Sequence, residues 1–237
     1  MELVNRIDSF IQKYRPGLVL TPTKMKRGGK VYDVKRWEKP GAEREMAVSF
    51  SKKDIDFATK HIASFIPEKN ILLRGLSNLV GKDKVTYRLK GAGSLLNKLQ
   101  RKDKDISDIT DLVGLMVKGK NYKDLRNYAN IVSKKFKVVE IEDFYKHERS
   151  DGYRAIHMLV EVNGKKMELQ LRSFYFSAFG DWSHQSGVYK GDFSKSEEVL
   201  VYEKLVGDYV LAIEQGKVDV NIPPCPALLE ARRLCFS

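Results

Sequence analysis

Tyr87-Arg88-Leu89-Lys90 sets two cations two residues apart, and on a strand that spacing turns both to one face. A guanidinium that grips two oxygens and an ammonium acting as a point charge suit a polyphosphate. Ser94, Lys98, Arg101 and Lys102 follow on or near a helix, whose amino end can assist with phosphate. Asp111 stands at the mouth of the apolar run Leu112 to Val117. A carboxylate there can hold Mg²⁺, which binds through few protein carboxylates plus substrate phosphates. Glu168, Gln170 and Arg172 alternate with Met167, Leu169 and Leu171, so the three polar groups share one strand face. Paired with Asp111, Glu168 completes a two-carboxylate metal site and can serve as base for a hydroxyl nucleophile. In Asp151-Gly152-Tyr153-Arg154-Ala155-Ile156-His157, the glycine permits a sharp turn with Tyr153 at its exit. A ring there can stack on a nucleobase. Taken singly, each cluster also has a plainer reading: a charged strand edge, a turn-capping Asp, an amphipathic strand facing water, a tyrosine that merely packs.

These residues need a scaffold, and the periodicities predict one. Residues 2–14 read as an amphipathic helix closed by Pro16, and 20–36 as a basic loop with a Gly-Gly break. A helix is expected from Lys52 to Ile66, ended by Pro67, and strands over Val85–Lys90, Asp111–Val117 and Lys137–Ile141. Helices are expected over Ser94–Lys102, Tyr122–Phe136, Ser173–His184 and Val199–Gln215. Asn163-Gly164 between His157–Val162 and Lys166–Arg172 is a strong hairpin signal. A proline-rich tail ends in a segment able to form a short last helix. The pattern is that of an α/β (α+β) domain, a mixed sheet with helices packed on it and helical elements at both ends. It divides into an N-terminal helical and basic-loop region (1–69), a core (70–190) and a C-terminal helical extension (191–237).

Hydrophobic residues at 42% allow a real core. No apolar run is long enough to span a bilayer, and the charged first helix is not a secretory signal. Cys225 and Cys235, without a His pair nearby, indicate neither a zinc site nor a disulfide framework. A cytoplasmic protein with no membrane partner is expected. The formal charge of +12, from 43 Lys+Arg against 31 Asp+Glu, favours a polyanionic partner, either charged nucleotides or nucleic acid.

Order and spacing join the clusters. Arg88-x-Lys90, Ser94, Lys98, Ile109-Thr110-Asp111-Leu112-x-Gly114, Gly152-Tyr153-x-x-Ile156-His157 and Glu168-x-Gln170-x-Arg172 together resemble the RelA/SpoT alarmone synthetase family. Trp182, His184, Tyr189 and Lys190 resemble its closing segment, and the likeness covers about residues 70–190. It implies a nucleotidyltransferase-like sheet and transfer of the ATP β,γ-pyrophosphate to a ribose 3′-hydroxyl with Mg²⁺. Arg88, Lys90, Ser94 and Lys98 would then hold ATP. Asp111 and Glu168 would bind the metal, Glu168 also deprotonating the hydroxyl. Tyr153 would stack on the acceptor base, supported by His157, Gln170 and Arg172. No HD-type hydrolase motif is legible, so a small stand-alone synthetase is expected.

Two departures bear on the acceptor. Met116 stands where family members commonly carry Arg, and Ser183-His184 lacks the acidic residue that often precedes the histidine. One branch of small members makes (p)ppGpp from GDP or GTP. Another comprises toxins, neutralised by an antitoxin, that pyrophosphorylate the 3′ end of tRNA. Lys24, Lys26, Arg27 and Lys30, and beyond them Lys118, Lys120 and Lys123, offer a basic surface for tRNA. With the +12 charge and Met116, the balance leans to the tRNA acceptor. A third reading is an inactive nucleic-acid-binding module, against which Asp111 and Glu168 argue.

Overall fold

The computed structural model describes residues 19–27, 30–38, 50–102, 106, 109–185 and 197–217, the first two segments by their backbone. The expected first helix, both cysteines, Tyr189, Lys190 and the tail lie outside the described residues, as do the side chains of Arg101, Lys102, Trp182 and His184. The chain forms two compact units. One comprises Met46–His147 and Ala155–Ser173; the other comprises Met1–Glu45, Glu148–Arg154 and Phe174–Ser237.

The first unit is built on a five-stranded mixed sheet. In chain order its strands are β3 (Val85–Leu89), β4 (Val113–Gly119), β5 (Lys137–Asp143), β6 (Ile156–Val162) and β7 (Lys165–Ser173). Their spatial order is β3-β4-β7-β6-β5. β4 and β7 run parallel, and the remaining neighbours are antiparallel. β6 and β7 form the hairpin that Asn163-Gly164 predicts, with φ of 49° and 79° at the two turn residues. Those positive values match a two-residue turn whose twist suits the flanking strands.

Alternation divides the sheet into two faces. Leu115, Val117, Met158, Val160, Met167, Leu169 and Leu171 are buried beneath helices α2 (Ile66–Val80) and α4 (Tyr122–Lys135). The helices contribute Leu72, Leu76 and Val80, and Leu125, Ala129 and Val132, each set at helical spacing. Each fully buried side chain of this kind contributes about 1.5–3 kcal/mol. A second, smaller cluster joins α1 (Lys52–Ala63) to α3 (Ala92–Lys102) through Ala58, Ile62 and Leu95, with Ile109 and Leu112 closing it. This cluster holds α3 beside the segment that carries Asp111.

Two local expectations are corrected. Pro67 does not end a helix; it occupies the first turn of α2, where its missing N–H is no loss and its fixed φ suits a helix start. Residues 19–38 are not a loop. β1 (Val19–Arg27) and β2 (Lys30–Glu38) pair antiparallel from Val19↔Glu38 to Arg27↔Lys30. Charged and polar residues on both faces hid the alternation. This strand pair belongs to the second unit, with α5 (Phe174–Gln185) and α6 (Glu197–Glu214). Within that unit Tyr175, Phe176, Ala178 and Phe179 of α5 and Val206, Val210 and Ile213 of α6 are buried.

Candidate active site

The face of the sheet opposite α2 and α4 carries the polar residues. Glu168 pairs with Gly114 of β4 and with Leu159 of β6; Gln170 pairs with Met116 and with His157; Arg172 pairs with Lys118. One residue in two on β7 is buried, and the polar ones between them are half-buried. The period-2 reading of Glu168, Gln170 and Arg172 thus describes a real surface. The Arg172 guanidinium donates to Gln170 Oε1 at 2.5 Å. His157 Nδ1 lies 3.5 Å from Glu168 Oε1, and its ring meets Phe144 edge-on at 4.9 Å. The Glu168 carboxylate thus lies beside an imidazole whose ring packs against Phe144.

Arg88 reaches this face from the sheet edge. It pairs with Gly114, and a Cβ at that glycine would fall 3.2 Å from Arg88 Nε and 3.4 Å from its Cγ. The arginine therefore lies against the bare backbone of Gly114, whose other neighbour in the register is Glu168. A side chain at 114 would press on Arg88, which would have to give by a few tenths of an ångström. Sequence reasoning quoted Gly114 as part of a motif and missed this role, since nothing local in the sequence says which residue needs the space.

Asp111 lies in the turn two residues before β4. Lys90, immediately after β3, donates to its Oδ2 at 2.7 Å, and Lys98 of α3 to its Oδ1 at 2.8 Å. The backbone N–H of Lys90 also donates to the Leu112 carbonyl at 2.9 Å, tying the end of β3 to this turn. Partial burial works to raise the Asp111 pKa, but the hydrogen bonds and charges of the two lysines outweigh it and hold the carboxyl below its ordinary value. Ser94 is exposed in the first turn of α3, one helical turn before Lys98.

These groups form a row: two lysines on Asp111, Arg88 on Gly114, then Glu168 with His157, then Gln170 with Arg172. The donor set suits a hard cation. It offers carboxylate oxygens and no thiol, and Mg²⁺ needs only one or two carboxylates when phosphates complete its shell. Among the described residues no three His, Cys, Asp or Glu converge on one point.

Tyr153 lies in the other unit and is 8% exposed. Its N–H donates to Asp151 Oδ1 at 3.1 Å, and the Arg149 guanidinium lies 5.5 Å from its ring centroid. Lys24, Lys26, Arg27 and Lys30 lie on β1 and β2 of that same unit, Lys24 opposite Asp33 and Arg27 opposite Lys30 in the register.

Residues 87–192 match the family model described as a region found in RelA / SpoT proteins. This stretch is thus similar to the region that RelA / SpoT proteins share. Solved structures agree on the fold. Small alarmone synthetase 2 from Bacillus subtilis is 18% identical with a TM-score of 0.58, over 67% of this chain and 95% of that one. A GTP pyrophosphokinase family protein from Streptococcus pneumoniae is 21% identical with a TM-score of 0.56, over 76% and 98%. Small alarmone synthetase 1 from Bacillus subtilis, bound to its product pppGpp, is 20% identical with a TM-score of 0.54, over 66% and 90%. No curated protein matches the sequence. The expected mixed sheet flanked by helices and the expected ATP-dependent pyrophosphotransferase class both stand. No helix among the described residues is long and apolar enough to cross a membrane.

Proposed function

We propose that this chain transfers the β,γ-pyrophosphate of ATP to a ribose 3′-hydroxyl, with the tRNA 3′ end as acceptor. The observation that carries the transfer chemistry is the triad of Lys90, Lys98 and Asp111 beside the Arg88–Gly114–Glu168 row. Two ammoniums on one carboxylate leave a positive charge uncompensated, which suits phosphate oxygens arriving between them. Arg88 adds a planar grip on the same phosphates.

In the reaction, the acceptor 3′-oxygen forms a bond to the β-phosphorus of ATP. The bond from that phosphorus to the α,β-bridging oxygen breaks, and AMP leaves. The hydroxyl proton passes to the Glu168 carboxylate, beside which His157 lies. Asp111 and Glu168 would hold Mg²⁺, and bound there it neutralises charge on the phosphate oxygens. Gln170 and Arg172 continue the polar row and would support the acceptor, with Tyr153 stacking on its base.

The tRNA acceptor is favoured by the +12 charge, by the basic residues of β1 and β2, and by Met116. Met116 puts an apolar side chain between Gly114 and Lys118 on the polar face, beside Gln170. A translation-inhibiting toxin checked by an antitoxin follows from that acceptor. The guanine-nucleotide reading, (p)ppGpp synthesis, is favoured by the pppGpp-bound small alarmone synthetase 1 of the same fold. Incubation with γ-labelled ATP and Mg²⁺ plus GTP or deacylated tRNA decides between them. Label on tRNA 3′ ends is expected; label on GTP with unmarked tRNA sinks the toxin reading. Asp111→Asn and Glu168→Gln should each cut transfer to either acceptor by about a hundredfold or more, with folding retained. Near-wild-type turnover in either would defeat the proposed roles.

A further inference from the structure

The loop 148–154, which carries Tyr153, meets α6 backbone to backbone. A Cβ on Gly207 would fall 2.4 Å from the carbonyl oxygen of Gly152, 2.7 Å from its carbonyl carbon and 2.8 Å from its Cα. A Cβ on Gly152, which has φ of 73°, would fall 2.9 Å from both the Cα and the carbonyl oxygen of Lys204. The atoms in the way are main chain on both sides, so no rotamer change relieves either clash. Gly207 lies well inside an 18-residue helix, where glycine is disfavoured relative to alanine. Close approach of the loop is the physical reason for a glycine there.

Charge reinforces the contact. Arg154, buried to 5% exposure, pairs with Glu148 at 2.9 Å and with Asp208 of α6 at 3.6 Å. Lys204 of α6 pairs with Asp208 at 3.0 Å and also with Glu148. At the outer end of the loop, Arg149 grips both oxygens of Asp151, and Asp151 accepts the N–H of Tyr153. α6 is anchored in turn to α5 by the buried hydrogen bond from Ser183 Oγ to Glu203 Oε1, 2.8 Å long. The helix begins at Glu197, beyond the family match that ends at residue 192.

We infer that α6 is the template that fixes the Tyr153 loop, and that Gly207 is a positioning residue for acceptor binding. The inference rests on the assignment of Tyr153 to the acceptor proposed above. A helix backbone is rigid, whereas a loop of seven residues set by its own contacts samples many conformers. Seating Gly152 on Gly207 removes that freedom before the acceptor arrives.

The test compares Gly207→Ala, Lys204→Ala and Tyr153→Ala with the wild-type chain. The readouts are acceptor KM with GTP and with deacylated tRNA, the ATP dissociation constant, and thermal unfolding. Gly207→Ala should raise the KM of whichever acceptor takes label by about tenfold, comparable to loss of one stacked base, while ATP affinity stays within about twofold. Lys204→Ala loosens the same seat without adding bulk and should act in the same direction by a smaller factor. A folded Gly207→Ala with wild-type acceptor KM, or with ATP affinity lost in equal measure, overturns the role of α6. Should Gly207→Ala fail to fold, an unchanged acceptor KM in Lys204→Ala overturns it. An unchanged acceptor KM in Tyr153→Ala instead defeats the assignment of Tyr153 itself, and the inference with it.

Discussion

Two ion networks among the described residues have similar size and opposite balance. At Asp111 two ammoniums share one carboxylate, and its side chain is 22% exposed. Around Arg154 two cations, Arg154 and Lys204, meet two anions, Glu148 and Asp208. The second network is closed: every charge has its counter-charge, and its product is a loop fastened to a helix. The first is open, carrying one more cation than it can use internally, on the polar face of the sheet. An excess of one sign at a partly exposed cluster is a feature of binding; neutrality around a buried arginine is a feature of structure. The contrast separates ligand chemistry from scaffolding where residue type alone cannot, since both networks consist of Lys or Arg with Asp or Glu.

Opposite responses are therefore expected when one cation is removed from each network. Lys98→Met should raise the KM for ATP by about tenfold or more, the loss expected for a charge-assisted hydrogen bond to phosphate. Its unfolding midpoint should stay near wild type, because Lys90 still neutralises Asp111. Steady-state kinetics over an ATP series checks the first, and a urea titration the second. A stability loss without a change in ATP KM would reverse the reading of the open network.

Arg154→Met should do the converse. It leaves Glu148 and Asp208 facing Lys204 alone, and should cost about 1–3 kcal/mol of stability, less than a fully buried pair because both acids are 45% exposed. ATP binding, measured on the folded variant, should be unchanged. Equal damage to ATP affinity would mean that the two networks are not separable in this way.

The smallest expected effect is in acid. Glu148 is held down to about 2 by its hydrogen bonds to Lys204 and Arg154, and Asp111 also lies below its ordinary 3.8. Both carboxyls are depressed in the folded state, so their stabilisation is complete above their unfolded values and lost as pH falls through the folded ones. Glu203 runs the other way: burial raises its pKa, so acid relieves it. Unfolding free energy should then begin to fall only below about pH 4.5, and Glu148→Gln should flatten that fall. A curve for Glu148→Gln that tracks the wild type below pH 4 would show that Glu148 carries none of the slope.

Most of the sheet was legible because its faces differ so sharply. Met167, Leu169 and Leu171 against Glu168, Gln170 and Arg172 fit only a period of two, and Asn163-Gly164 fits only a tight turn. β1 and β2 were not legible, because polar residues on both faces leave no alternation to read. Pro67 misled because a proline at a helix stop and one at a helix start look alike until the next turn is known.

What the sequence by itself determined is the inventory and its spacing: the carboxylates Asp111 and Glu168, the cations Arg88, Lys90 and Lys98, and the glycine-tyrosine turn. These follow from residue type and strand period, which are local properties. Only the tertiary structure decided who meets whom. Lys90 and Lys98 approach Asp111 from 21 and 13 residues away, Arg88 crosses to Gly114 of a neighbouring strand, and Gly207 seats Gly152 across 55 residues of chain. Such pairings depend on how elements pack, and packing is set by the whole core at once.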